Sequence, residues 1–591
     1  MTRAEATNRD AAAAKASSQS RQQTATITPA GSLSHVIGET SDPLIDKTIP
    51  RVLAATAASH GDQDAAIFCA QDIRLTYTEL AGLVDQLAAG FLEIGLTKGD
   101  RIGIWSPNRF EWLLTQFAAA RIGLILVTIN PAYRLSELEF SLNKVGCKAL
   151  VTANSFKSSN YIEMLETLAP ELGSCEPGEL AAARLPELRI VIQMGDVEIP
   201  GMYRFETVLQ RERAAETGRL DAITAGLDVD EPINIQFTSG TTGAPKGATL
   251  SHFNILNNAH FTARTLGLTE NDRLCIPVPL YHCFGMVMGT LACATTGTTM
   301  VFPSEGFEPL ATLRAVDQER CTALYGVPTM FVAELEAPEF GQFNCSTLRT
   351  GIMAGSPCPI EVMKRVVSDM SMSEVTIAYG MTETSPVSFQ SSVDDPIEKR
   401  VSTVGRIHPH LEVKIVNDDG ETVPVGTDGE VCTRGYSVMR GYWDDADRTR
   451  DAIDSEGWMH TGDLGRLDQD GYLNIVGRLK DMVIRGGENL YPKEIEDFFY
   501  RHPKIQHVQV FGVPDPKFGE ELCAWVVLRL GENATESEIK DYCKGQIAHL
   551  KIPRYVRIVD EIPMTVTGKP QKFKMRDAMV EELDLQQTAT A

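Results

Sequence analysis

The chain has 591 residues, and its 55 Lys and Arg against 79 Asp and Glu give a formal net charge of −24 at pH 7. This acidity argues against a nucleic-acid-coating protein, because displacing the counterions of a phosphate backbone requires a basic surface. Hydrophobic residues make up 43% of the chain and charged residues 23%. These proportions are typical of globular proteins, and the length predicts several packed units.

The twelve cysteines are scattered from Cys69 to Cys543, without a C-x-x-C pair or a Cys/His group at zinc spacing. They predict free thiols in a reducing compartment instead of a disulfide framework or a zinc site. The apolar run at 122–129 is far shorter than the roughly 20 residues that cross a bilayer. We therefore expect no transmembrane segment and a cytoplasmic location.

Residues 1–34 are rich in Ala, Ser, Thr and Gln, and this composition predicts a disordered N-terminal tail. The alternative is an organelle transit peptide, which would place the protein in the mitochondrial matrix. Glu5 and Asp10 weaken this alternative, because transit peptides avoid acidic residues.

From residue 64 onwards, the pattern alternates between strands and helices. Thr78 is a plausible N-cap, and apolar residues follow it at helical spacing until Gly95 offers a stop. A strand at 102–105, a helix at about 111–120 and a strand at 124–129 come next. This repetition predicts a parallel sheet covered on both faces, and so a doubly wound α/β fold.

The pattern changes near Gly477. The elements predicted beyond it are a helix starting at Pro492, strands at 508–513 and 523–530, a helix opened by the capping box of Thr535 and Glu538, and a strand at 555–559. Together they indicate a compact α+β unit. We therefore divide the chain into the tail, a large domain at 35–479 and a small domain at 480–591.

The most informative stretch is F-T-S-G-T-T-G-A-P-K-G at 237–247. Its hydroxyl groups, backbone N–H groups and lysine can all face a polyphosphate. The candidate phosphate ligands are Thr238, Ser239, Gly240, Thr241, Thr242, Gly243 and Lys246. The stretch is not a Walker A loop, because Pro245 stands where the second Gly should be and Gly247 follows the lysine.

Four further motifs follow in order: Y-G-M-T-E-T at 379–384, T-G-D at 461–463, G-R-L-K-D at 477–481 and T-G-K at 567–569. With the loop, they resemble the signature of the adenylate-forming superfamily, which includes acyl-CoA synthetases, the adenylation domains of peptide synthetases and beetle luciferases. The resemblance covers nearly everything after the tail. It implies an AMP-binding adenylation domain of α/β subdomains with an additional small β portion, then a small, mobile AMP-binding lid domain.

The resemblance also implies how the chain holds ATP. Tyr379 would present its aromatic face to adenine, with Gly355 and Ser356 in a flanking loop. Asp463 would accept both ribose hydroxyls, and Arg478 would reach the sugar or a phosphate.

Phosphate and Mg²⁺ are assigned to neighbouring residues by the same resemblance. Thr382, with Gly380 beside it, would contact the α-phosphate. Glu383 would be the ligand of the Mg²⁺ that accompanies ATP, because carboxylate oxygen suits this cation. Thr238 and Glu383 count among the expected catalytic residues.

Lys569 is the expected catalytic cation. Joining a carboxylate to the α-phosphorus of ATP brings two anions together, and a cation must neutralise both oxygens where they meet. Lysine, whose reference pKa is about 10.4, is charged at neutral pH and supplies a compact, mobile ammonium. This assignment depends on the T-G-K context, because a lysine near the end of a chain is otherwise a solvated charge.

The second reaction step depends on the C-terminal domain. The resemblance implies that Lys480 is the hinge about which this domain rotates once the adenylate has formed. Gly486 and Gly487 would line the entry of coenzyme A, where glycine lets a pantetheine arm pass close to the backbone. The basic side chains of Lys572, Lys574 and Arg576 are either solvated or hold the phosphates of coenzyme A.

Segments 281–285, 325–328 and 351–353 match family segments that wall an acyl slot. They contain no Lys, Arg, Asp or Glu, which disfavours amino-acid substrates, because an ammonium group needs an acidic partner. His282 is either a catalytic gate at the mouth of the pocket or a satisfied core histidine, and the resemblance favours the gate.

These features predict an ATP-dependent ligase that converts a fatty acid and coenzyme A to acyl-CoA, AMP and pyrophosphate. The stretch at 477–576 is similar to medium-chain acyl-CoA synthetases, so a medium-chain acid is expected. The alternatives are an aryl-acid CoA ligase and a fatty acyl-AMP ligase that loads a carrier protein; luciferase-like oxygenation is not separated from them by the sequence. The expected partners are these small molecules, without nucleic acid, and a homodimer is left open.

Overall fold

The computed structural model describes residues 29, 31–210, 217–238, 245–356, 358–485, 488–565 and 569–585. Nearly all of the predicted tail lies outside these ranges. So do the loop residues Ser239 to Gly243, Gly486 and Gly487, and the Thr and Gly of the T-G-K motif.

An eight-stranded sheet forms the first layer of the large domain. Its strands, in spatial order, are Tyr203–Arg204, Ile190–Gln193, Ala149–Thr152, Arg101–Trp105, Ile125–Thr128, Pro232–Thr238, Lys246–Ser251 and Gly441–Tyr442. Arg101–Trp105 runs parallel to both Ile125–Thr128 and Ala149–Thr152. The helix Phe110–Arg121 makes the crossover between the first two. The parallel arrangement predicted for this segment is confirmed, with ends that differ by one or two residues.

A nine-stranded sheet forms the second layer. Its order is Arg406–Ile407, Val387–Gln390, Glu374–Gly380, Thr350–Ala354, Ala323–Gly326, Arg273–Cys275, Thr299–Phe302, Asp64–Phe68 and Ile73–Thr76. The strands from Glu374–Gly380 to Asp64–Phe68 are all parallel. Their carboxyl ends therefore meet at one edge, which is where open α/β sheets bind ligands.

The two large sheets share one continuous hydrophobic core. Ile104 and Ile235 from the first sheet and Phe68 and Met300 from the second belong to the same buried cluster.

The α-helices of the described residues are Ile49–His60, Tyr77–Glu93, Phe110–Arg121, Leu135–Val145, Tyr161–Leu168, Phe205–Leu209, Thr217–Ala225, His252–Thr265, Cys283–Gly285, Ala292–Thr296, Pro309–Gln318, Pro328–Leu335, Ile360–Asp369, Ile397–Ser402, Ala446–Ala452, Pro492–Phe499, Glu536–Cys543 and Lys572–Glu582. One π-helical turn spans Met286–Leu291.

A smaller antiparallel sheet completes the large domain. Its order is His35–Ile37, Leu411–Val416, Gly429–Gly435, Met459–Leu467 and Leu473–Arg478. Ser34 N–H donates to Val423 O at 2.8 Å, and Val425 N–H donates to Ser32 O at 2.9 Å. Ordered structure therefore begins before residue 35, and the tail boundary predicted at residue 34 falls inside a paired segment.

The C-terminal unit is a five-stranded sheet with three helices. Its strands are Glu488–Leu490, Val483–Arg485, Gly519–Leu528, Ile505–Asp515 and Tyr555–Ile558. The predicted helix at Pro492 and the capping box of Thr535 and Glu538 are confirmed. The sequence analysis missed the last helix, Lys572–Glu582.

The predicted N-cap at Thr78 is wrong. The helix Tyr77–Glu93 is capped by Thr76, whose hydroxyl accepts the N–H of Glu79, while the Glu79 carboxylate accepts the N–H of Thr76. The glutamate decides between the two threonines, because it stands three residues after Thr76, and Ala81 stands three after Thr78.

All twelve cysteines are free thiols, nine of them buried. Within the described ranges, every helix is too short or too polar to cross a membrane.

The corrected cap is testable by hydrogen exchange. Thr76→Ala should speed amide exchange in the first turn of this helix about fivefold, the equivalent of losing about 1 kcal/mol of capping. Thr78→Ala, whose side chain makes no cap, is the matched control and should leave exchange unchanged. Equal effects of the two substitutions would contradict the assignment.

Candidate active site

The two ends of the predicted phosphate loop lie side by side. The strand Pro232–Thr238 pairs antiparallel with Lys246–Ser251, and Thr238 lies opposite Lys246 in the register. The predicted ligands Ser239 to Gly243 lie outside the described residues, but this hairpin fixes where their loop leaves and rejoins the sheet.

Glu383 lies within reach of this hairpin. The carboxylate is 4% exposed and belongs to the 3₁₀ turn Thr382–Thr384. Its Oε1 accepts the hydroxyl of Thr238 at 3.2 Å and the hydroxyl of Tyr442 at 2.8 Å. The ammonium of Lys246 donates to the same Tyr442 oxygen at 3.0 Å and lies 4.4 Å from the ring centroid. Two predicted residues, Glu383 and Lys246, are therefore joined by Tyr442, which the sequence analysis missed, and Thr238 bonds Glu383 directly.

Glu383 and Thr238 together suit Mg²⁺. This ion takes one or two protein oxygens and leaves its other positions to phosphate and water. Both hydrogen bonds that described residues make to the Glu383 side chain go to Oε1. Within the described part of the chain, one carboxylate oxygen is therefore held and Oε2 has no donor.

Tyr379, Asp463 and Arg478 form a second group. Tyr379 donates its hydroxyl to Asp463 Oδ2 at 2.8 Å, and Arg478 Nε lies 2.8 Å from Oδ1. Asp463 and Arg478 face each other directly across two antiparallel strands. Burial, and then Asp463, raise the pKa of Tyr379 well above its usual value, so the phenol remains a donor.

Gly380 follows Tyr379 because no larger residue fits. A Cβ there would lie 1.8 Å from the carbonyl oxygen of Pro386, so glycine is required for the chain to turn into Thr382–Thr384. Gly355 and Ser356 follow the neighbouring strand Thr350–Ala354 at the same sheet edge. The structure thus brings the predicted adenine-flanking residues next to Tyr379.

The turn that carries Asp463 has a polar support that the sequence did not indicate. Glu430 Oε1 accepts the N–H of Gly462 at 3.0 Å, and Oε2 lies 2.8 Å from Nδ1 of His460. Cys432, two residues further along the strand, lies 3.5 Å from the same nitrogen. The three groups are close enough to hold a metal ion, but the mutual bonds of Glu430, His460 and Gly462 already explain their placement as a brace behind Asp463.

Lys569 enters this site from the C-terminal unit. Its side chain is open to solvent along the cleft, yet surrounding protein lowers its pKa, first by desolvation and then through Arg478. Glu383 and Asp463 act on the same ammonium in the opposite direction. Both carboxylates belong to the large domain. The C-terminal unit is therefore oriented with Lys569 facing the cleft that contains Glu383 and Asp463.

His282 lies beside this ammonium. Burial, and then Lys569, lower its pKa to about 3, so the imidazole is neutral at physiological pH. Its Nδ1 accepts the N–H of Phe284 at 3.4 Å and caps the short helix Cys283–Gly285. The ring is held by the backbone at the point where the predicted acyl segment meets Lys569.

Lys480 completes the cationic side chains of the cleft. Desolvation, and then Arg478, lower its pKa, while Asp481 and Asp463 raise it and Lys246 lowers it further. Four cations of the described chain, on Lys246, Arg478, Lys480 and Lys569, thus act around the three carboxylates of Glu383, Asp463 and Asp481. In a protein of net charge −24, this local excess of positive charge is suited to a polyanion.

The predicted acyl segments lie mostly, but not entirely, on one face. The rings of Phe284 and Tyr325 are 5.3 Å apart, and both residues share a buried cluster with Ile352. Met353 packs in a different cluster, on the other side of the sheet. Because strand side chains alternate, segment 351–353 cannot offer both of its large residues to one slot, and Met353 is the one turned away.

Gln236, in the strand Pro232–Thr238, is buried against the predicted acyl segment 281–285. Its Oε1 accepts the thiol of Cys283 at 3.1 Å, and its Nε2 lies 3.7 Å from the sulfur of Met286. Met286 begins the π-helical turn, a feature frequent at functional sites.

The basic side chains after Lys569 are largely committed within their own unit. Lys572 donates to Glu496 Oε1 and to Val510 O, both at 2.8 Å. Arg576 lies 3.1 Å from Glu520. The structure therefore favours a structural role for these two residues over binding of coenzyme A phosphates.

Two family models match separate parts of the chain. The family model described as AMP-binding enzyme matches residues 53–443, and the model described as AMP-binding enzyme C-terminal domain matches residues 494–569.

The chain is also similar to named proteins over most of its length. It is 49% identical to the putative acyl-CoA synthetase YngI of Bacillus subtilis, covering 92% of this chain and 99% of that protein. It is 48% identical to the medium-chain acyl-CoA ligase ACSF2, mitochondrial, of Danio rerio, covering 94% and 92% respectively. The crystal structure of ATP-bound MatB from Rhodopseudomonas palustris matches with a TM-score of 0.74 at 27% identity, covering 90% and 99%. With the ordered motifs and the cleft geometry, these matches place the chain in the AMP-binding enzyme family, as an acyl-CoA synthetase of the adenylate-forming superfamily.

Proposed function

We propose that the chain is an AMP-forming fatty acid–CoA ligase with a preference for medium-chain acids. The main observation in support is the position of Lys569. Its ammonium belongs to the C-terminal domain but lies close enough to Glu383 and Asp463 of the large domain for their charges to affect its pKa. The named relatives, an acyl-CoA synthetase and a medium-chain acyl-CoA ligase, support the class of reaction.

In the first step, a carboxylate oxygen of the acid attacks the α-phosphorus of ATP, and the bond to pyrophosphate breaks. Asp463 and Tyr379 hold the nucleoside, while Lys246 and the loop that it closes hold the phosphates. Lys569 offsets the negative charge where the two anions meet, which is the point at which a fixed cation lowers the barrier most. Bound through Glu383, Mg²⁺ would supply further charge neutralisation on the phosphates.

The neutral imidazole of His282 allows the ammonium of Lys569 to lie near it. A charged histidine beside Lys569 would repel the ammonium, but the low pKa of His282 removes that charge throughout the physiological range. His282 then separates the apolar segment around Phe284 from the charged cleft, the role expected of a gate.

In the second step, the sulfur of coenzyme A attacks the acyl carbon of acyl-AMP, the bond to AMP breaks, and the thiol proton passes to solvent. The C-terminal unit must turn away first, because Lys569 occupies the cleft in this conformation. Lys480, in the 3₁₀ turn Leu479–Asp481 that joins the two domains, is the proposed hinge. Gly486 and Gly487 are the proposed lining of the thiol entry.

The uncharged segments 281–285 and 325–328 support an apolar acyl group. An aryl-acid ligase and a ligase that loads a carrier protein use the same first step, so they remain the alternatives that an assay must separate. The cytoplasmic location, with the mitochondrial matrix as its alternative, and the homodimer also remain predictions. The ACSF2 relative from Danio rerio is named as a mitochondrial protein.

The substrate class is tested by supplying free coenzyme A with saturated acids of increasing chain length, a branched acid and an aryl acid. We expect acyl-CoA and AMP in equal amounts, with kcat/KM highest for medium-chain acids, because burying each added methylene is worth about 0.8 kcal/mol until the slot is full. Accumulation of acyl-AMP without thioester for every acid would favour the carrier-protein alternative.

The role of Lys569 is tested by assaying the half-reactions separately. Lys569→Ala should slow acyl-AMP formation about 100-fold or more, since it removes a cation that acts on the first transition state. Thioester formation from supplied acyl-AMP should change little. Lys574→Ala, which removes a nearby exposed charge, is the control. Equal losses in both half-reactions for Lys569→Ala would contradict the assignment.

The hinge is tested by Lys480→Pro. A proline fixes φ near −65°, which suits the 3₁₀ turn seen here, so the conformation with Lys569 in the cleft should be retained and the rotation blocked. We expect adenylation to continue and thioester formation to fall about tenfold or more below that of Lys480→Ala, which loses the charge alone. Overall turnover equal to that of Lys480→Ala would exclude the hinge.

A further inference from the structure

We infer that Tyr442 is a positioning residue for MgATP, through a hydroxyl that holds Glu383 and Lys246 at the same time. This inference rests on the proposed adenylation chemistry but not on the identity of the acid. Tyr442 belongs to none of the motifs that predicted the site, and its role follows from its contacts alone.

The backbone holds Tyr442 firmly in place. The strand Gly441–Tyr442 is the last of the eight-stranded sheet, and Tyr442 lies opposite Ala248 on the loop-closing strand. Its N–H donates to the hydroxyl of Thr449 at 2.9 Å, and the N–H of Trp443 donates to Gly247 O at 2.7 Å. With 5% exposure, the ring has little freedom to leave the cleft.

A phenol hydroxyl has one proton to donate and lone pairs to accept. That of Tyr442 donates to Glu383 Oε1 at 2.8 Å and accepts from Lys246 Nζ at 3.0 Å. Phenylalanine would keep the ring beneath Lys246 but lose both bonds. Burial and Glu383 raise the pKa of the phenol, which keeps its proton in place for the carboxylate.

These contacts distinguish the two carboxylate oxygens of Glu383. Thr238 and Tyr442 both donate to Oε1, and the N–H of Met439 holds the backbone carbonyl of the same residue at 2.9 Å. The carboxylate is thus locked in one orientation, with Oε2 presented for a cation. The same hydroxyl keeps Lys246 at the end of the phosphate loop. One oxygen atom therefore sets the distance between the metal carboxylate and the phosphate lysine.

A purely structural tyrosine is the alternative, since a buried hydroxyl usually finds a partner. The two accounts differ in what they predict for the nucleotide. A structural role would change stability alone, whereas a positioning role changes affinity for MgATP before any acid is bound.

The test is Tyr442→Phe in the full chain, with Tyr77→Phe as the matched control. Tyr77 is also buried, and its hydroxyl lies 2.7 Å from the carbonyl oxygen of Thr298 and 3.0 Å from that of Cys293, but it lies outside the site. Isothermal titration with MgATP in the absence of acid, thermal unfolding, and the Mg²⁺ concentration that gives half-maximal pyrophosphate exchange should be measured for each variant.

We expect Tyr442→Phe to weaken MgATP binding about tenfold, because the carboxylate of Glu383 and the ammonium of Lys246 both lose the hydroxyl that positions them, and to raise the Mg²⁺ requirement. Thioester formation from supplied acyl-AMP should stay within about twofold of the parent. Tyr77→Phe should lower the unfolding temperature only. Affinity for MgATP within twofold of the parent in Tyr442→Phe, whatever its stability, would overturn the inference.

A double substitution addresses the shared oxygen. Thr238→Val and Tyr442→Phe each remove one donor to Glu383 Oε1, so their effects on MgATP affinity should be non-additive. Additive effects would show that the two hydroxyls act independently and would also count against the inference. Because the titration contains no acid, it can succeed even if no fatty acid proves to be a substrate, which keeps this inference separable from the proposed function.

Discussion

The active site depends on several positively charged side chains that lie together in one cleft. The cleft brings together the cations of Lys246, Arg478, Lys480 and Lys569. Desolvation, and then the charge of Arg478, lower the pKa values of Lys480 and Lys569, so burial and repulsion both disfavour their charged forms. A polyanion relieves this repulsion, so ATP should favour the conformation in which Lys569 enters. The long-range field of an acidic protein opposes this attraction only weakly, because it is screened beyond about 8 Å at physiological salt.

The scaffold supplies what this charge cluster needs. The parallel strands of the nine-stranded sheet end together, and so deliver Gly355, Ser356 and Tyr379 to one edge. The smaller sheet faces Asp463 towards Arg478 across neighbouring strands. Two hydroxyls, on Thr238 and Tyr442, then fix the orientation of Glu383. Lys569 comes from the C-terminal unit, and Lys480 lies in the turn that joins this unit to the large domain. A rotation of the unit can therefore separate the two half-reactions.

Much of this arrangement could be predicted from the sequence, because its residues stand in local motifs. Tyr379, Asp463 and Arg478 contact one another, and Glu383 lies in the turn that follows the strand of Tyr379. Tyr442 could not be predicted, since one tyrosine on a two-residue strand has no periodicity, and its meaning depends on a strand pairing between distant parts of the chain. Glu430 behind Gly462 was missed for the same reason. The N-cap was misplaced where two threonines competed, and Met353 was misassigned because the alternation of a buried strand was not considered.

The position of Lys569 in a substrate complex tests the central claim most directly. In a crystal structure with MgATP and an unreactive analogue of the acid, we predict its Nζ within about 3 Å of an α-phosphate oxygen, the distance of a charge-assisted hydrogen bond. An ammonium that remained in bulk solvent, while the nucleotide occupied the cleft beside Asp463 and Glu383, would contradict the account.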